Sequence, residues 1–423
     1  MRALTTLTLL LALAADAGAQ HVRQAAAQAL GEGARQPGDS AYALPRGGNP
    51  PRARRTADGR PWSVHVAESI MTRNPQTHRR WDYIQGVVLG AIERVALARR
   101  DTAMLAYVQR NMDRWIRPDG TIDGYDLEEY NIDEIAQGRV LFGLYARTKD
   151  ARYKKAMALL RQQLRTHPRT SEGGFWHKKI YPEQMWLDGL FMGQPFYAQY
   201  AATFGDTAAF DDVARQFLLV ARHTRDPRTG LMYHAWDAAR RQPWADSLTG
   251  LSRHFWGRAM GWYMVGVVET LDHFPANHPD RDAIIQTLRD AAEGIARVQD
   301  PLTGLWWDVL DQPNRAGNYL EGSASSLIAY ALAKGARLGY LDARHRRRAE
   351  RAFDGLLSNL VRENADGTVS LTNIVQVSGL GGSPRRDGST RDGTFEYYVT
   401  EPVVTDDYKG VGPFLLAALE LGR

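Results

Sequence analysis

The feature that most limits the fold is a recurring pair of helical patterns. From Trp62 onward, stretches opening on small residues return along the chain: "WDYIQGVVLGAIERVALA", "NIDEIAQGRVLFGLYART", "MGQPFYAQYAATF", "FWGRAMGWYMVGVVETLDHF", "EGSASSLIAYALAKGARL" and "YKGVGPFLLAALEL". Most are followed by an amphipathic stretch, such as "ARYKKAMALLRQQLRTH", whose apolar residues fall on one helix face. Between the units come polar, Gly-containing turns with a short aromatic or β-branched run behind them, as in "RTSEGGFWHK", "DPRTGLMYHAWD" and "DPLTGLWWDVLD". Six small-residue helices, roughly 50 to 90 residues apart and separated by outer helices, form an internal repeat. Six hairpins closing on each other predict an all-α fold, an (α/α)6 barrel, with an early helix around "WSVHVAESIMTR" supplying the last outer partner. An open helical array is the alternative. In the barrel, the inner-helix starts and the connecting turns share one rim, so residues distant in sequence meet in one pocket.

The repeat leaves the N-terminus outside. Residues 1–19, within "MRALTTLTLLLALAADAGAQ", read as a secretory signal: an early Arg, an apolar run too short to span a bilayer, and a small-x-small cleavage pattern ending at Ala19. Export, most simply to a bacterial periplasm, is the expectation. Residues 20–60 hold seven Arg against three acids, a surplus of four that accounts for most of the net charge of +5. This basic, Pro/Gly-rich segment reads as a disordered linker, and residues 61–423 as the barrel. No basic stripe lies on a periodic helix, so neither a nucleic-acid nor a membrane partner is expected. The absence of cysteine excludes disulfides, a thiol nucleophile and thiolate metal sites.

Candidate chemistry clusters at inner-helix starts and in the turns. "GFWHKKIYPEQMWLDGL" sets one acid, Asp188, among Trp176, His177 and Trp186. Low polarity favours a protonated carboxyl, which suits a general acid; the competing role is a helix N-cap. Asp133, in "YNIDEIAQG", presents the same choice. Across a cavity the two acids would form a carboxylate pair, one member tending to keep its proton. His177 and His234 hold matching places in two turns, either as idle rim residues or as parts of a shared pocket. Arg258 lies between Trp256 and Trp262 and needs an anionic partner: a substrate carboxylate held bidentately, or an internal salt bridge to Asp133 or another acid. Eleven Trp and eighteen Tyr, several in polar Gly-rich segments, suit stacking on sugar rings or filling core.

Other motifs fail. "DGTIDGYDLEEY" has Thr121 and Tyr130 where a calcium loop needs ligands, and "GLGGSPRRDG" lacks the strand–turn–helix context of a phosphate loop. No HExxH, GxSxG or P-loop pattern occurs, so neither a metal nor a nucleotide cofactor is expected.

Four of these segments, "GGFWHKKIYPEQMWLDGLFMGQPFYAQYA", "DEIAQGRVLFGLYARTKDARY", "FWGRAMGWYMVGVVETLD" and "EGSASSLIAYALAKG", together resemble glycoside hydrolase family 105, the unsaturated rhamnogalacturonyl hydrolases. The resemblance runs from about Trp62 to the C-terminus. It implies a metal-free six-hairpin barrel acting on a short oligosaccharide whose non-reducing end is a 4,5-unsaturated uronic acid, a lyase product, by hydration of the double bond. Related hydrolases take unsaturated glucuronyl sugars. By resemblance Asp188 is the general acid/base and Asp133 the second pocket carboxylate. His177, Trp186, His234 and Arg258, with Tyr83 and Trp262, would line or hold the sugar. Rival readings are a polysaccharide lyase on a related toroid, an inverting glycosidase acting on saturated sugars, and a non-catalytic periplasmic sugar-binding protein.

Overall fold

A computed structural model describes residues 56, 59–78, 80–382 and 388–423; the predicted signal and most of the basic segment lie outside them. The chain enters with α1 (Trp62–Arg73). Inner and outer helices then alternate: α2 (Tyr83–Arg99) inside and α3 (Thr102–Met112) outside, then a 3-10 segment (Ile132–Gly138) running into α4 (Arg139–Thr148), followed by outer α5 (Ala151–Thr166). Next come α6 (Leu187–Phe204) and α7 (Ala209–Thr224), α8 (Gly257–Thr270) and α9 (Arg281–Arg297), and α10 (Gly322–Arg337) and α11 (Ala343–Asn359). A short α12 (Phe395–Val399) precedes α13 (Tyr408–Glu420), the last inner helix.

Each inner helix packs on its two inner neighbours, and α13 packs back on α2, so the ring is closed rather than open. The early helix α1 covers α13 and α2, as the sequence predicts for the last outer partner. Small residues set the spacing of the ring. A Cβ on Gly86 of α2 would come 2.5 Å from Gln137 Cα in the 3-10 segment, and one on Gly412 of α13 would come 2.6 Å from Val87 Cγ1. Glycine at these contacts removes the side chain that would force the backbones apart.

Three inner helices begin on acidic N-caps, which accept otherwise orphaned backbone N–H groups. Asp82 caps α2, Glu321 caps α10 and Asp407 caps α13. Short antiparallel pairs stiffen the rim between helices. β1 (Gln184–Trp186) pairs with β2 (Ala235–Asp237), placing Trp186 opposite Ala235. β3 (Val361–Glu363) pairs with β4 (Val369–Leu371), and β5 (Ile374–Val375) with β6 (Val403–Val404).

Candidate active site

Neither Asp133 nor Asp188 caps its helix. The cap of the 3-10 segment is Asn131, whose side chain accepts from the Asp133 N–H, and α6 starts at Trp186 without a side-chain cap. Both acids sit in the first turn, and each is given its histidine by the same backbone device. The residue before the acid donates its N–H to the carbonyl of a histidine in the following turn: Ile132 to His177 at 3.2 Å, and Leu187 to His234 at 3.0 Å. With the backbones so joined, His177 Nε2 lies 3.2 Å from Asp133 Oδ1, and His234 Nε2 lies 3.3 Å from Asp188 Oδ2. The device recurs further round the ring, from Gly257 to Asp308 and from Gly322 to Asn373, both at 2.7 Å. It puts Arg258 and Ser323 at the positions that Asp133 and Asp188 hold in their own units. The matching turns of the sequence are therefore equivalent rim positions that differ in chemistry.

The two acid–histidine pairs are electrostatically unlike. Asp133 receives Lys178 Nζ at 2.8 Å on its other oxygen. Burial works to raise its pKa, but the Lys178 and His177 charges prevail and hold the carboxyl well below the usual carboxylate range. Asp133 is thus a fixed negative charge. Among the described residues, Asp188 has no such cation. Only 14% of its side chain is exposed, and Oδ2 and the facing His234 Nε2 are both buried without a completed hydrogen bond. Between the pairs stands Trp186, stacked with His177 at 4.4 Å between centroids and close to His234 at 5.6 Å. Tyr83, at the start of α2, feels both acids; burial, then the Asp133 charge, drives its phenol well above the ordinary value and keeps it protonated. A groove of about 1360 Å³ opens beside this cluster, lined among others by Tyr83, Asp133, Lys178, Gln376 and Lys409.

The helical toroid is shared with known enzymes. The model of glycosyl hydrolase family 88 matches residues 62–423. The chain belongs to this family. A glycoside hydrolase family 105 structure from C. acetobutylicum ATCC 824 is 45% identical, with a TM-score of 0.83, covering 86% of this chain and 99% of that one. The unsaturated rhamnogalacturonyl hydrolase YesR of Bacillus subtilis is 30% identical over 279 residues, 64% of this chain and 76% of that protein. An unsaturated glucuronyl hydrolase from Bacillus sp. GL1, 14% identical, shares the fold with a TM-score of 0.62 over 85% of this chain. The family 105 resemblance and the helical barrel read from the sequence both hold, and this family 88 chain is an enzyme, a glycoside hydrolase of the unsaturated uronyl hydrolase kind.

Within the family 88 barrel the remaining sequence candidates divide. Arg258 finds an internal anionic partner: its Nη2 is 3.7 Å from Glu321 Oε1, its Nε donates to Ser323 Oγ at 2.7 Å, and its other donors meet the Val375 and Gln376 carbonyls. With 1% of its side chain exposed, it is a wall residue in this arrangement. Trp262 is buried against Phe191 at 4.4 Å, with Tyr83 edge-on at 6.4 Å, so it packs the lumen rather than offering a free face to sugar. Trp186 is likewise engaged, by His177 and by Tyr181 at 5.1 Å. Both indoles are thus packed against other rings of the wall.

Two residues of the site were not singled out from the sequence. Lys178 directly follows His177, and its place beside two predicted site residues was the available signal. Tyr398, whose Oη lies 2.9 Å from His234 Nδ1, comes from a segment 164 residues away and carries no motif.

Proposed function

We propose that the enzyme removes a 4,5-unsaturated uronic acid from the non-reducing end of lyase-generated oligosaccharides, with an unsaturated galacturonyl unit of rhamnogalacturonan fragments as the leading substrate. The observation that carries the reading is the asymmetry of the two acids: Asp133 is clamped as an anion by Lys178 and His177, while Asp188, among the described residues, has a histidine but no lysine or arginine as an ion-pair partner. The 30% identity to YesR supports the rhamnogalacturonyl assignment.

The double bond of such a substrate is an enol ether. Asp188, in its acid form, delivers a proton to C4, which leaves positive character shared by C5 and the ring oxygen. The fixed charge of Asp133 stabilises that developing cation. Water adds at C5 and gives up a proton to the Asp188 carboxylate, restoring the acid. The resulting hemiketal opens, releasing the aglycone and a keto-deoxy sugar acid. Tyr83 and Lys178, both lining the groove, would donate to the uronate carboxylate. The predicted leader at residues 1–19 supports export, so that the enzyme would meet its substrates outside the cytoplasm.

The test is a panel of unsaturated disaccharides produced by different lyases, followed by loss of the ultraviolet absorbance of the conjugated double bond. The rhamnogalacturonan disaccharide is expected to turn over fastest. Rising absorbance on an intact polysaccharide would reveal a lyase instead, and affinity without turnover across the panel a binding protein.

A further inference from the structure

Tyr398 is fully buried, and its Oη lies 2.9 Å from His234 Nδ1. Among the described residues no other acceptor is hydrogen-bonded to this phenol. Its hydrogen must therefore go to Nδ1, because a buried O–H left unpaired costs about 1–3 kcal/mol. Burial drives the phenol pKa well above its ordinary value, so the hydrogen is present throughout the working range. An imidazole that accepts at Nδ1 carries its own hydrogen at Nε2 when neutral. That nitrogen is the one facing Asp188 Oδ2 at 3.3 Å. The 3.3 Å contact is not yet an aligned hydrogen bond, as is common for catalytic contacts before substrate binds. The ring has little freedom to turn: it is wholly buried, tilted against Trp256 at 4.7 Å, and its carbonyl is held by the Leu187 N–H.

We propose that Tyr398 is a positioning residue that fixes the Nε2–H tautomer of His234 and thereby decides which oxygen of Asp188 carries the catalytic proton. With His234 donating to Oδ2, that oxygen acts as an acceptor, and the transferable hydrogen resides on Oδ1. Without Tyr398 the imidazole is free to adopt the Nδ1–H tautomer. A bare Nε2 lone pair then faces Asp188 and competes with C4 of the substrate for the same proton. This inference rests on the role proposed for Asp188.

The variant is Tyr398→Phe, which keeps the ring and deletes the hydroxyl. The expected result is a kcat about 10- to 100-fold lower on the preferred unsaturated disaccharide, as is typical when an outer partner of a reacting group is lost. KM should stay within about twofold, since Tyr398 does not line the groove. A second measurement does not depend on turnover: nitrogen NMR of histidine-labelled enzyme, with the His234 signal assigned by its loss in His234→Gln. It should show Nε2 protonated in the wild type and a tautomer mixture in Tyr398→Phe. A wild-type His234 protonated at Nδ1, or a Tyr398→Phe enzyme with unchanged kcat, overturns the proposal. Asp188→Asn separates the two failures. If that variant is inactive while Tyr398→Phe behaves as wild type, only the tautomer role falls; if Asp188→Asn is active, the reading of the site falls.

Discussion

The two ends of the barrel lumen treat buried acid in opposite ways. Toward the C-terminal ends of the inner helices, Glu269 lies 1% exposed and is saturated with donors: Arg94, Arg139 and Lys334 Nζ all reach its carboxylate, and so does the Tyr330 hydroxyl. These groups come from α2, α4, α8 and α10, so one carboxylate ties together four of the inner helices. A chamber of about 250 Å³ lies against this cluster. At the opposite rim, Asp188 faces one histidine, and among the described residues its Oδ2 completes no hydrogen bond. The first arrangement holds a structure together. The second, on the proposed function, keeps a carboxyl available for reaction. Asp133 is intermediate: it is clamped like Glu269 but lines the large groove and, like Asp188, faces a histidine in the first turn of its helix. Whether an acid is saturated therefore says more about its task than burial does, and changing each acid tests that difference.

The largest expected effect is on turnover. Asp188→Asn should lower kcat by about 10³- to 10⁴-fold with little change in KM, as loss of general acid and base action entails. Steady-state kinetics on the unsaturated disaccharide would show it, and substantial residual turnover would remove Asp188 from its role. At the other end, Glu269→Gln should take the shared carboxylate from the half-buried Arg94 and Arg139, leave the buried Lys334 with Asp272 alone, and cost about 3–5 kcal/mol of stability. Urea unfolding reads that loss directly; an unchanged midpoint would mean the plug does not hold the inner helices together.

Asp133→Asn should show both kinds of effect, each smaller. Loss of the fixed charge beside the developing cation is expected to reduce kcat by about 10²-fold. Because the folded-state pKa of Asp133 is depressed, its ionised form stabilises the fold at neutral pH, and that contribution fades as the pH falls through the folded value. The stability deficit of the variant should therefore be present at pH 7 and shrink in acid. Equal deficits at pH 7 and pH 3 would contradict the clamp.

The smallest effect concerns Glu134, next to Asp133 and also lining the groove. Burial, then the nearby Glu129, push its carboxyl up to about 7, and its buried Oε2 has no partner among the described residues. A raised folded-state value makes ionisation unfavourable in the fold. Stability should fall between the ordinary glutamate range and pH 7, then level off. Glu134→Gln should thus raise Tm by a few degrees at pH 8 and hardly at pH 4, as differential scanning calorimetry would show. A uniform shift at both values would point to packing instead of charge.

Much of the architecture was legible in the sequence because small residues at helix contacts are a local, repeated mark. Gly86 and Gly412 advertise close packing wherever they occur, and the helix at Trp62–Arg73 follows from the need to cover the last inner helix. The two acids and two histidines were legible because they recur at equivalent places in the repeat. What pairs them was not. The N–H of Leu187 meets the carbonyl of His234, 47 positions along, and no local pattern encodes that register. Arg258 stood out as a cation needing an anion, yet its partner Glu321 reads locally only as the cap of α10. Exposure of the tryptophans was the least legible property, since an indole in a polar, Gly-rich turn has the same local sequence whether it faces sugar or, like Trp186, lies flat on a histidine.

Hydration of the alkene by protonation at C4 is the step on which the proposed function stands. Turnover of the unsaturated rhamnogalacturonan disaccharide in heavy water, with the sugar acid product analysed by NMR, tests it most directly. The account predicts one deuterium at C4 of every product molecule formed as the ultraviolet absorbance disappears, and none of this in Asp188→Asn. Product free of deuterium at C4, or release of the aglycone with the double bond intact, would contradict it.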